Sequence, residues 1–468
     1  MEDADLERFL GGLEREELVR RLLAVSRRHE DVRFGLETEV GAAQGSFDVA
    51  AAKKRLTAQV AIRGQFLPPR ATRAYAKEVG AAIDMLAGLL DAGLAAEVVV
   101  LCEHLMKRLD TALGRVDDSG GYLAAPIDRL KELHHAACVV AQPDVRALGR
   151  RLVEHGLGSG DAEWFFDAAT QYADVLGDEG LDAYRTRLER EWAKLPPLGP
   201  EGGRFLPFHD HTRWKVSHLR EQLARAGGSI NELVGVMANN LSHPYRFLLI
   251  AEELESAGLE REALSWLERG VAAFPPAGDD PRLRARLTAA YLRDGQDADA
   301  VALAEKAFAD KPGPDTYDEL RAVVPAERWA HRRVAALEQI RTATAQGLFG
   351  ASGDRVVLAQ LREGDLDGAW RDARESGCTW PTWLELADAS REHDPDAAVR
   401  VYVSAAENEL EHPGAPAYER AVDRLCRARE TLAAVGRADE LETTIEGIRE
   451  EQRRRPRLIA MLDEAGLR

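Results

Sequence analysis

The stretch Leu254-Glu255-Ser256-Ala257-Gly258-Leu259-Glu260-Arg261-Glu262-Ala263 decides the fold. A helical run ends at a glycine, and five residues later a small side chain opens the next apolar stripe. The pattern returns at Asp294-Gly295-Gln296-Asp297-Ala298-Asp299-Ala300 and at Glu363-Gly364-Asp365-Leu366-Asp367-Gly368-Ala369. Weaker copies stand at Gly93 with Val98 and at Gly436 with Leu441. A glycine can end a helix in a left-handed cap, and a small residue five positions on lets the returning helix pack closely. Each such motif therefore predicts a helical hairpin.

Gly258 and Gly295 are 37 residues apart, and Gly295 and Gly364 are 69 apart. Those spacings are near one and two periods of a tetratricopeptide repeat, about 34 residues long. Pro275-Pro276 and Pro312 follow two of the hairpins and stop their second helices. A single hairpin leaves an apolar face open, so neighbours must stack. The uneven spacing predicts a degenerate, tetratricopeptide-like α-solenoid.

Helical spacing extends to the start of the chain, where Leu6, Phe9, Leu10 and Leu13 form one stripe and Leu18, Leu22 and Val25 the next. Val98-Val99-Val100 and Val401-Tyr402-Val403 are too short for strands and lie inside helical patterns, so the fold class is all-α. Leu195-Pro196-Pro197-Leu198-Gly199-Pro200-Glu201-Gly202-Gly203 cannot continue a helix. It predicts two helical blocks: an N-terminal block over 1–195, a linker over 196–214 and a repeat block over 215–468. A softer break is expected at 347–353.

Composition narrows the function classes. The chain has 468 residues, 45% hydrophobic and 30% charged, with a formal net charge of −18. That charge opposes a general nucleic-acid-coating surface and favours basic or neutral partners. Four cysteines, none in a Cys-x-x-Cys pair, exclude a disulfide scaffold. The acidic start Met1-Glu2-Asp3-Ala4-Asp5 and the lack of a long apolar run predict a cytoplasmic protein without membrane contact.

Several segments resemble the long helical region that follows the zinc finger in bacterial SWIM zinc-finger proteins. They are Val116 to Tyr122, Tyr172 to Leu181, Leu241 to Phe247 and the C-terminal stretch Gln452 to Leu467. The resemblance implies an α-helical, tetratricopeptide-like interaction region. The finger's Cys-x-Cys and Cys-x-His ligand pairs are missing, since Cys102, Cys138, Cys378 and Cys426 are isolated. Zinc and DNA binding therefore do not carry over.

Candidate chemistry is sparse. His134 and Cys138 lie four apart on one helix face, near Cys102 and His104, and are read as core residues over a zinc site. His209, Asp210, His211 and His218 form the densest imidazole cluster, a ligand set for a transition metal if any metal is held. Asp117 and Asp118 precede a helix and are read as caps. No nucleophile elbow, P-loop or dinucleotide fingerprint is present, so no catalytic residue and no cofactor is assigned.

The leading reading is a non-catalytic helical-repeat scaffold for a protein or peptide partner. Its contact candidates are Trp266, Trp329, Trp370, Trp380 and Trp383, with Arg453, Arg454 and Arg455. A second reading is a nucleic-acid-associated accessory protein working through local Arg clusters. A third is a metal-dependent enzyme built on the His209–His218 cluster.

Overall fold

The computed structural model describes residues 3–29, 32–33, 35–36, 40–41, 47–62, 64, 66–158, 164–201, 211–274, 280–345, 353–412 and 414–468. The chain forms two compact units, Met1–Glu260 and Arg261–Arg468. The helices α1 (Asp3–Gly11), α2 (Arg15–Ser26), α3 (Val49–Gln59), α4 (Pro69–Asp91), α5 (Ala95–Leu113) and α6 (Ala124–Ala141) begin the first unit. It continues with α7 (Val145–Gly158), α8 (Ala168–Gln171), α9 (Ala173–Trp192), α10 (His211–Ala226), α11 (Ile230–Met237) and α12 (Pro244–Ser256). The second unit opens on α13 (Glu260–Ala273), α14 (Pro281–Arg293), α15 (Asp297–Asp310), α16 (Pro314–Val323), α17 (Ala326–Ala345) and α18 (Asp354–Glu363). It ends with α19 (Leu366–Ser376), α20 (Trp380–Ala389), α21 (Pro395–Leu410), α22 (Ala415–Ala434), α23 (Glu442–Glu451) and α24 (Pro456–Glu464). Among the described residues the only β-pairing is two isolated bridges, so the fold is all-α. No helix among these residues is long and apolar enough to cross a membrane.

The glycine motifs form the turns that their spacing requires. Gly93, Gly258, Gly295, Gly364 and Gly436 all hold φ between 71° and 85°. The amide after each glycine bonds back to the helix it ends, as in Gln296 N–H to the Tyr291 carbonyl at 2.8 Å and Asp365 N–H to the Gln360 carbonyl at 3.0 Å. That is the Schellman closure, which satisfies carbonyls a helix end would otherwise leave open. The residue five positions on is buried in every case: Val98, Ala263, Ala300, Ala369 and Leu441.

In the first unit the core runs from α3 to α10 and includes Val216, Leu219 and Leu223 of α10. α7 and α9 meet through glycines: a Cβ on Gly149 would strike the carbonyl oxygen of Gly180. The Pro-rich stretch is pinned inside this unit. Leu198 donates to the Asn239 carbonyl at 2.8 Å and accepts from Leu241 N–H at 2.7 Å, and Arg213 donates to the Pro196 carbonyl at 2.9 Å. The expected linker 196–214 thus lies within the first unit, its residues 202–210 outside the described ones. Of the expected break at 347–353, residues 347–352 lie outside the described residues. The first apolar stripes form α1 and α2, but Phe9, Leu10, Leu22 and Val25 stay exposed.

Candidate functional site

Two of the sequence candidates in the second unit, Trp370 and Trp383, come together. Trp370 is buried, donates from Nε1 to Ser390 Oγ at 2.9 Å and packs on Trp383 with ring centroids 5.9 Å apart. Trp329 meets Tyr317 edge-on at 5.2 Å. Trp266, Trp329, Trp380 and Trp383 are half-buried, and the Arg269 guanidinium lies 3.8 Å from the Trp266 ring centre. The arginine run is divided: Arg453 pairs with Glu450, Arg455 donates to the Leu410 carbonyl at 2.6 Å, and Arg454 is exposed.

Of the imidazole cluster, only His211 and His218 lie among the described residues. His209 and Asp210 lie outside the described residues. His218 stacks on Trp214 with centroids 5.8 Å apart and faces Asp167 Oδ1 at 3.7 Å. His104 contacts Thr57 Oγ1 at 2.9 Å and the Lys53 carbonyl at 3.2 Å. No group of three or more His, Cys, Asp or Glu among the described residues is placed so as to hold a metal ion. Asp117 and Asp118 cap, accepting from the amides of Ser119, Tyr122 and Leu123.

His134 instead belongs to a buried polar network at the centre of the first unit. Its Nδ1 is 2.8 Å from Tyr172 Oη and its Nε2 is 3.6 Å from Glu103 Oε1. Burial drives His134 below its ordinary pKa, so the ring is neutral. Its proton belongs on Nε2, facing the carboxylate, while Nδ1 accepts from the Tyr172 hydroxyl. Burial pushes Glu103 up, but the imidazoles of His134 and His155 and the Arg151 charge more than reverse it, leaving Glu103 well below the carboxylate range. Arg151 Nε donates to Glu103 at 3.0 Å. Cys138 lies 3.8 Å from His134 Nδ1, and burial pushes its thiol up to about 12. A thiol in that state is a poor nucleophile and a poor metal ligand. Phe165, 5.1 Å from His134, holds a φ of 59°, a costly conformation for an aromatic residue.

The second unit is organised by arginines that reach across hairpins. Arg284 forks onto Glu319 at 3.0 and 2.8 Å. Arg332 forks onto Glu305 at 2.7 Å through both nitrogens. Arg341 grips the buried Asp372 at 2.8 and 2.9 Å, while Arg333 spans Glu363 and Asp365. Bidentate forks of this kind fix geometry as well as charge.

One place in this unit departs from that rule. A groove of about 340 Å³ opens where the C-terminal ends of α13 and α15 meet the N-terminal ends of α14, α16 and α18. Val271, Phe274 and Leu303 give it an apolar wall, and Lys306, Lys311 and Arg355 give it a cationic rim. Those three cations are exposed and make no ion pair among the described residues. α16 begins at Gly313 with no side chain accepting from its first amides, which adds positive potential of the same sign. Asp310 and Asp315 also line the groove; Asp315 is taken up by Arg362 at 2.8 Å. Sequence reading missed this site because Lys311-Pro312-Gly313-Pro314 reads only as a helix stop. One signal was present: beyond Lys215 the chain has two lysines, Lys306 and Lys311, and both face the groove.

No protein-family model matches the chain, and no curated protein matches it. Among solved structures it is similar to the pentatricopeptide repeat protein PPR10 from maize, at 14% identity over 99% of this chain and 77% of that one, with a TM-score of 0.28. It is also similar to the tetratricopeptide repeat domain of P58(IPK), at 11% identity over 84% and 94% of the two chains, TM-score 0.19. The Cut9–Hcn1 hetero-tetramer of APC/C aligns at 12% identity over 99% and 94%, TM-score 0.21. These are loose superpositions of helical repeats, and the fold assignment rests on the hairpins described above.

Proposed function

We propose that the chain is a non-catalytic helical-repeat scaffold that holds a protein partner through a peptide segment docked on the second unit. The groove at the ends of α13 to α16 carries this reading, because it joins an apolar wall to charged groups that no intramolecular pair consumes. Pockets of about 300 Å³ or more accept one or two side chains of a ligand, and a few such anchors supply most of an interface's binding energy. Descent from the helical region of SWIM zinc-finger proteins belongs to the same reading, as does a supporting contact role for the half-buried Trp266 with Arg269.

The test is isolation of the tagged full chain from its native host, followed by titration of each stoichiometric partner against purified protein. Ala307→Trp, which fills the groove from its lining, should abolish binding while circular dichroism stays helical. Absence of any stoichiometric protein partner, or a partner that binds the filled variant unchanged, would refute the proposal.

A further inference from the structure

The groove's charge says what kind of segment it takes. Structural ion pairs across the second unit are built from arginine, as at Arg284, Arg332, Arg333 and Arg341. Both lysines of that unit stand at the groove instead, five residues apart at the end of α15 and just beyond it. The guanidinium fork is suited to fixed carboxylates, whereas a lysine ammonium is a mobile point charge on a flexible stem. Two lysines and Arg355, all unpaired among the described residues, face a single unpaired carboxylate, Asp310. Their charge is therefore available to a ligand, in a chain whose overall charge is −18.

We infer that this groove binds an acidic, extended peptide segment, with an apolar side chain against Val271, Phe274 and Leu303 and carboxylates on Lys306, Lys311 and Arg355. The inference rests on the protein-binding function proposed above and assigns the partner's chemistry. A nucleic-acid strand suits the site less well. The volume, about 340 Å³, has room for a side chain or two rather than a run of stacked bases. Asp310 and Asp315 on its lining oppose a dense run of phosphates more than a few spaced carboxylates. An acidic peptide spaces its charges and brings the apolar group that the wall needs. The chain's net acidity thus misstates the local preference: the partner surface that fits here is negative.

The experiment is selection of a random displayed peptide library on the full-length protein, followed by fluorescence anisotropy with the enriched peptides. The expected winners are acidic with at least one apolar residue. Their affinity should fall about 10-fold or more in the Lys306→Glu/Lys311→Glu double variant and by a similar factor in Arg355→Glu, with weaker binding at high salt. The first-unit control Lys77→Glu, an exposed site with the same charge change, should bind like the parent. All four substituted side chains are exposed, so melting temperatures should stay within a few degrees, which separates lost binding from lost folding. Enriched peptides that are neutral or basic, or that bind the double variant unchanged, overturn the acidic-segment assignment while the scaffold reading stands. A library that yields no binder overturns both. A single-stranded oligodeoxynucleotide that binds where acidic peptides do not, and is lost in the double variant, overturns the assignment in favour of nucleic acid.

Discussion

The two units differ in one buried polar cluster each. The first places a neutral histidine, a tyrosine hydroxyl and a thiol at its centre, with Glu103 and Arg151 at the edge of the cluster. The second keeps charge but pairs it, through guanidinium forks such as Arg341 on Asp372. A neutral network is insensitive to salt and sensitive to acid, whereas paired charges tolerate mild acid and feel salt. The difference teaches that a chain with one helical period throughout can hold two kinds of core.

The comparison breaks most easily at Asp372. It is 2% exposed, and Asp372→Ala removes both bonds that it takes from Arg341, leaving that guanidinium with Glu338 alone, at a cost of about 2 kcal/mol. Hydrogen exchange should lose protection in α17 to α19, around the lost fork; unchanged protection there would refute the fork's role. In the first unit, Gly149→Ala wedges α7 against the Gly180 backbone and should cost about 2 kcal/mol. The same measurement should then show the loss in α7 and α9.

Acid sharpens the contrast. His134 is lowered in the folded state, mainly by burial, so the unfolded chain binds a proton first. The stability this contributes is complete above the unfolded value of about 6.5 and is lost as pH falls below it, by up to about 1.4 kcal/mol per pH unit. Glu103, also depressed when folded, adds a loss of the same sign below about 4.5. Unfolding of the first unit followed between those values should show the slope, and His134→Gln should reduce it to the share left by His104, which burial also lowers. A flat profile in the parent would mean that the imidazole is charged in the fold. Salt has the smallest effect: raising it from about 0.1 to about 1 M should weaken each unit by about 1 kcal/mol or less, since both carry partly buried pairs such as Arg246 with Glu221 and Arg284 with Glu319.

The hairpins were legible because a glycine cap and a small residue five positions on are local signals. The backbone at Gly258, Gly295 and Gly364 and the burial of Ala263, Ala300 and Ala369 follow from them directly. The arginine forks were illegible, since Arg284 and Glu319 or Arg341 and Asp372 are a whole hairpin apart and share no short-range spacing. Arg and Glu spread along a helix face carry no local sign of a partner, and only stacking brings them together. The groove was hidden for a related reason: its walls come from five helix ends, and each end alone is an ordinary stop or start. His134 and Cys138 were rightly placed in the core, yet Tyr172 and Glu103, which complete their surroundings, lie too far away in sequence to be read.

The forks also give the array a fixed order. Their donors do not recur at one position of each hairpin: Arg284 lies on α14, while Arg332, Arg333 and Arg341 crowd onto α17. In repeat proteins assembled from interchangeable units, a unit can be duplicated or removed and the remaining neighbours still match. Here each carboxylate is written for one particular arginine elsewhere. Deleting the α16–α17 hairpin would orphan Glu305, Glu363 and Asp372 together, and duplicating it would supply guanidinium groups with nowhere to go. The second unit is modular in geometry but not in grammar, and an engineer who wants to lengthen it must rewrite both sides of each new joint.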